Sequence, residues 1–256
     1  MPLVPVFPVA DSVPTPGRPR RRAEPPRFAA SRDPGPEGWG GAEPAIAHLH
    51  PRRRLADDLP VGHEVIGPRN RALLLDPHAG LMRQIVAASE GGVVALMYPG
   101  AVIDADRVTG QVAAVLDVAG LPARRLEVVL PEAALIDLET DGLLALSALR
   151  DRGVSLCIDA FGTGVASLTL LRRLPLTRLK LARSLVRAVP EDREDAAILH
   201  AIITTAHAVG LTVVGDGIET ERQRAFLAHS GCDEGQGPLF GPALQVTVLP
   251  RQGILA

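Results

Sequence analysis

From residue 92 onward, short runs of apolar and β-branched residues alternate with helix-length amphipathic segments. That alternation restricts the chain to folds in which parallel strands are joined by crossover helices. Val93 to Met97 reads as a strand, followed by a helix that opens at Asp104 and closes near Gly120. Leu126 to Leu130, Ser155 to Ile158, Arg178 to Leu181 and Thr212 to Val214 read as the next strands. Helices are expected over 138–152, ending at Gly153, over Glu191 to Val209, closed by Gly210, and over Glu221 to His229, because glycine takes a left-handed helix cap at little cost. The strands are nearly all apolar, as strands covered on both faces are. No fixed-period repeat underlies the alternation, which disfavours a solenoid.

A doubly wound sheet and an eight-stranded barrel both fit this pattern, and the polar residues separate them. Asp159, Lys180 and Asp216 each stand at the carboxyl end of a different strand. In a barrel those ends converge on one mouth, so residues distant in sequence meet there. A dinucleotide-binding sheet would need a glycine fingerprint after its first strand. The run Phe161-Gly162-Thr163-Gly164 lacks the third glycine and follows a late strand. The expected fold is therefore α/β, a (β/α)8 TIM-like barrel, incomplete on its N-terminal side unless residues 43–91 supply the remaining strands.

Composition divides the chain once. Of the 23 prolines, 12 fall within the first 51 residues, among glycines and arginines, so residues 1–38 are expected to form a disordered Pro/Gly/Arg-rich tail and residues 39–256 the barrel domain. The cluster Arg18, Arg20, Arg21 and Arg22 reads as a solvated charge run. A net charge of -2 and 3% aromatic residues offer neither the field nor the stacking surfaces for nucleic acid. Cys157 and Cys232 lack metal-type spacing and read as core residues in a reducing compartment. No apolar run reaches the ~20 residues of a membrane span, and the arginines follow the apolar start instead of preceding it, so a cytoplasmic location is expected.

Several ordered motifs resemble those of EAL domains, the cyclic di-GMP phosphodiesterases of bacteria. Asp159-Ala160-Phe161-Gly162-Thr163-Gly164, with Ser167-Leu168, Leu171-Arg172-Arg173-Leu174-Pro175 and Leu179-Lys180, is similar to the family's Asp-Asp-Phe-Gly-Thr-Gly region. Val213 to Thr220 resembles Val-Ala-Glu-Gly-Val-Glu-Thr, and Gly231 to Phe240 resembles Gly-Cys-Asp-x-x-Gln-Gly-Tyr-x-Phe. The likeness is strongest over residues 120 to 245. Upstream, Gly41-Ala42-Glu43-Pro44-Ala45 with His50-Pro51 can be laid over the Glu-Ala-Leu signature and the His-Pro after it. The resemblance implies an EAL-type barrel.

It also implies attack of a metal-bound hydroxide on a phosphodiester, with carboxylates holding two Mg2+ or Mn2+ ions about 3.5–4 Å apart. On this alignment the metal-holding positions that survive are Glu43, Asp159 and Asp216, the last a shortened glutamate. Lys180 orients the attacking water, and Gln236 is retained. Three ligand positions are lost, to Leu96, Val129 and Ala160. Apolar side chains cannot coordinate a hard cation, so the expected mouth is a former catalytic site without metal. Asp159 and Lys180 are then expected to pair with each other. The arginine that grips the dinucleotide falls on Ala47, which weakens the case for cyclic di-GMP as ligand and favours a protein partner in a signalling pathway. The segment from Val165 to Leu174, with Leu168, Leu170 and Leu171, is the expected face of a homodimer.

Two other readings were weighed. An atypical but active phosphodiesterase would use a single cation on Glu43, Asp159 and Asp216. A metal-dependent amidohydrolase barrel would use His48 and His50, which share one strand face. His200, His207 and His229 fall on helices and supply no further ligand at a strand end.

Overall fold

The computed structural model describes residues 45–67, 73–74, 79–100, 102–162 and 168–248. The elements run β1 (Ala45–Arg54), β2 (Pro60–Ile66), α1 (Ala79–Ala88), β3 (Val93–Met97), α2 (Ala105–Ala119) and β4 (Leu126–Pro131). Next come α3 (Glu132–Ile136), α4 (Thr140–Asp151), β5 (Ser155–Phe161), α5 (Leu168–Arg173), β6 (Arg178–Leu181), α6 (Arg183–Ala188) and α7 (Arg193–Ala208). The described chain ends with β7 (Thr212–Asp216), α8 (Glu221–His229), β8 (Glu234–Gln236) and β9 (Leu244–Val248).

Strands β2 to β8 pair in chain order and in parallel. β1 closes the ring by pairing antiparallel with both β8 and β2. The result is a closed eight-stranded barrel, and residues 45–66 do complete it. β1 differs from the parallel strands that follow, reaching β2 through a short turn at Leu55–Leu59 in place of a crossover helix. β9 pairs with β1 beyond the end of β8, along Ala45 to Leu49.

Local signals explain the helix boundaries. The Asp104 side chain accepts a hydrogen bond from the Arg107 amide at the start of α2, and Gly120 ends that helix with φ 61. Thr220 and Gln223 form a reciprocal capping box at α8. Gly237 must be glycine: at φ 146, an added Cβ would stand 2.3 Å from the amide nitrogen of Ile218.

Alternation along the strands separates two environments. Leu96, Val128, Leu130, Leu156, Ile158, Leu179 and Val213 point outward into the main core beneath the helices. Ala95, Val129 and Cys157, with Met97 against them, form a small separate cluster inside the ring. On α5, Leu171 is buried and Leu170 is half-buried against the barrel, so these two leucines dock the helix on its own domain. Residues 1–38, Glu43 and the segment 163–167 lie outside the described residues. Among the described residues no helix is long and apolar enough to cross a membrane.

Candidate functional site

The interior of the barrel carries charges in two layers. In the deeper layer, Arg52 of β1 sends its Nη1 to both carboxylate oxygens of Glu127 on β4, at 2.8 and 3.1 Å. Arg178 of β6 lies 3.3 Å from Glu127 and donates to Glu234 of β8, also at 3.3 Å. Arg52 and Glu127 are completely enclosed, and such charges persist in a barrel only when paired. Burial disfavours the Arg52 cation, but Glu127, followed by Cys157 and Glu234, more than offsets this and raises its pKa above the ordinary value.

Two residues further along each strand lies the mouth layer. Lys180 on β6 is 3% exposed and sits between Glu64 of β2, at 2.8 and 3.0 Å, and Asp159 of β5, at 2.9 Å. Gln236 on β8 binds the layers together. Its Oε1 accepts from Arg52 Nε at 3.2 Å, while its Nε2 donates to Glu64 and, at 3.0 Å, to Asp216 on β7. Asp216 also faces the exposed Arg183 at 3.6 Å. Burial alone would raise the Glu64 carboxyl, yet the Lys180 charge and the hydrogen bonds from Gln236 and Lys180 hold it down at about 2. Burial likewise opposes the Lys180 cation, and Glu64, Asp159 and Asp216 together raise its pKa nonetheless.

The structure therefore gathers Asp159, Lys180, Asp216 and Gln236 at one mouth. Glu43, matched to the signature glutamate in the sequence reading, lies outside the described residues. The glutamate found at the mouth among the described residues is Glu64, in the run Glu64-Val65-Ile66. Sequence signals for it existed: an acidic residue inside the apolar alternating strand Val61 to Ile66, with a glycine two positions before it. Leu96 is corrected. It points outward, whereas Met97 is the Cα partner of Val129 and shares its inward face. The inward apolar positions are thus Met97 and Val129. Ala160 follows Asp159 with φ 52, a left-handed conformation unusual for alanine. Ala47, matched to the ligand-gripping arginine, is fully buried in the outer core and cannot reach a ligand at the mouth. His48 and His50 share a strand face and lie opposite Ile66 and Glu64.

Among the described residues, the donors present do not form a two-metal centre. Among the described residues no group of three or more histidine, cysteine, aspartate or glutamate side chains is disposed to hold a metal ion. The Lys180 ammonium stands between Glu64 and Asp159, where it already supplies their counter-charge. The same result leaves His48 and His50 without a third ligand, which removes the structural basis for an amidohydrolase centre among the described residues.

Comparison with known proteins gives concordant results. The chain is 44% identical over 134 residues to the cyclic di-GMP phosphodiesterase NbdA of Pseudomonas aeruginosa, a match covering 52% of this chain and 17% of that protein. The chain thus spans less than a fifth of the length of this relative. Among solved structures, the EAL domain of Mycobacterium smegmatis DcpA superposes with TM-score 0.69 at 28% identity, covering 80% of this chain and 92% of that one. A PaMucR phosphodiesterase in complex with c-di-GMP gives TM-score 0.67 at 26% identity, covering 78% and 92%. Klebsiella pneumoniae BlrP1, solved with manganese and cy-diGMP, shares the fold at TM-score 0.70 and 22% identity, covering 81% and 58%. The EAL domain model matches residues 90–243, which include the strands bearing Asp159, Lys180, Asp216 and Gln236. The chain belongs to the EAL domain family.

Proposed function

We propose that this is a degenerate EAL domain of cyclic di-GMP signalling, catalytically inactive, that acts in the cytoplasm by binding a ligand or a protein partner. The observation that carries this reading is the apolar lining of the inward face beside the carboxylates, formed by Val129 with Met97 against it. The Lys180 ammonium pairs with both Glu64 and Asp159, and its single charge offsets one of the two carboxylates. Met97 and Val129, on the adjoining strands, offer no oxygen in their place. A hydroxide generator and a charge-neutralising clamp must be held together for two-metal hydrolysis, and this mouth provides neither Mg2+ nor Mn2+ with a full set of ligands. On this reading residues 39–256 form the binding domain, residues 1–38 a separate tail, and association into a homodimer uses the segment from Val165 to Leu174.

A second reading is an atypical metal-dependent phosphodiesterase. It is favoured by the convergence of Glu64, Asp159 and Asp216 around Lys180 and Gln236, since displacement of Lys180 would leave three carboxylates for one cation. Calorimetric titration of cyclic di-GMP into the full chain, with and without calcium, tests the binding role. The inactive reading predicts a response indifferent to calcium, whereas binding that requires calcium would support the atypical enzyme.

A further inference from the structure

We propose that the barrel interior holds one ordered water, bridging Arg52, Arg178 and Glu234 in the layer beneath the mouth. Three buried polar atoms there have no hydrogen-bond partner: Arg52 Nη2, Arg178 Nε and Glu234 Oε2. They belong to groups already in contact. Arg52 Nη1 lies 3.6 Å from Glu234 Oε2, and Arg178 Nη2 donates to Glu234 Oε1 at 3.3 Å. Arg52 is 1% exposed and the Glu234 side chain 8%, so bulk solvent does not serve these atoms. Left unsatisfied, each would forfeit the hydrogen bonding it has with water in the unfolded chain.

None of the three atoms meets a side chain of the described residues in hydrogen-bonding geometry. Both oxygens of Glu127 are engaged by Arg52, and although Arg178 Nε is 3.3 Å from Glu127 Oε2, the two do not meet in hydrogen-bonding geometry. The Gln236 oxygen is taken by Arg52 Nε. Two donors and one acceptor remain, and one water matches them, accepting from Arg52 Nη2 and Arg178 Nε and donating to Glu234 Oε2. Buried waters make about three such bonds.

Charge selects water over an anion. The layer contains two guanidinium groups, Arg52 and Arg178, and two carboxylates, Glu127 and Glu234, so it is already neutral. An added anion would bring an unbalanced charge into a closed interior and meet Glu234 Oε2 as a second acceptor.

A crystal structure of the protein at a resolution that shows ordered solvent is the first test. The expected result is a single water within hydrogen-bonding distance of all three atoms. Direct pairing of those atoms, with no density between them, would overturn the proposal. Crystals soaked in bromide should show no anomalous peak at this position, and a peak there would assign the site to an anion instead. In solution, a long-lived water should give a magnetisation-transfer peak to the Arg52 guanidinium protons that is lost in Glu234→Leu. Absence of that peak from the unaltered protein would contradict the proposal without crystals.

Discussion

The ammonium of Lys180 lies 2.8 Å from the carboxylate of Glu64, 116 residues earlier in the chain, and 2.9 Å from that of Asp159. One side chain thereby ties β6 to the second and fifth strands across the barrel mouth. Removing one member of a buried pair leaves an uncompensated charge, which costs about 3–5 kcal/mol. Lys180→Met is expected to lower the unfolding free energy by about 3 kcal/mol in urea titration at neutral pH. A loss below about 1 kcal/mol would mean that the pair is not a structural element.

The same pair sets a pH dependence. Glu64 has its pKa depressed from 4.5 to about 2 in the folded protein. A depressed carboxylate contributes stability that is fully present above pH 4.5 and is lost as pH falls through about 2. That contribution is of order 2–3 kcal/mol. Lys180 has a raised pKa, so its contribution is present below 10.5 and is lost only as pH rises through its higher folded value. Urea titrations at pH 7 and pH 3 should show a steep loss of stability in the unaltered protein and a shallower one in Glu64→Gln. Equal slopes would show that Glu64 titrates as an ordinary glutamate.

Ala160 has φ 52, between Asp159 and Phe161, where the β5–β6 register breaks. An alanine in this conformation is strained by about 1 kcal/mol relative to glycine. Ala160→Gly should be neutral to slightly stabilising, by roughly 0–0.6 kcal/mol, after the greater freedom of glycine in the unfolded chain is counted. A fall in melting temperature would show that the methyl group makes a packing contact worth more than the strain.

Restoring oxygens to the apolar side of the mouth should create metal affinity. In Met97→Asn/Val129→Glu/Ala160→Asp, calorimetry is expected to show manganese binding at least tenfold tighter than in the parent chain. Leu96→Asn should have no such effect and should instead destabilise by placing an amide in the outer core. Equal manganese affinity in the triple variant and the parent would refute the ligand-loss account.

Much of this architecture is legible in the sequence, and the exceptions have physical causes. β3, β6 and α8 fall on the residues expected, because their apolar runs are bounded by sharp caps or glycines. Asp159, Lys180 and Asp216 follow from long motifs at strand ends. Glu64 does not, because Glu64-Val65-Ile66 shares only its glutamate with Glu-Ala-Leu, as Glu43-Pro44-Ala45 does, and His50-Pro51 draws the alignment to Glu43. Leu96 and Met97 both fit an apolar strand, and only pairing with β4 reveals that Met97 faces inward. The deeper layer of Arg52, Glu127, Arg178 and Glu234 was not seen at all. Its members sit on four separate strands and only the closed ring makes them neighbours.

The central claim, that the mouth has lost hydrolysis, is tested most directly by incubating the full chain with cyclic di-GMP and excess manganese and following linear dinucleotide. Enzymes commonly accelerate their reactions by ~10⁶-fold or more, so an active site would be plain against the uncatalysed background. The account predicts no linear product above a protein-free control. Linear product that forms with the unaltered chain and disappears in Asp159→Asn would contradict it.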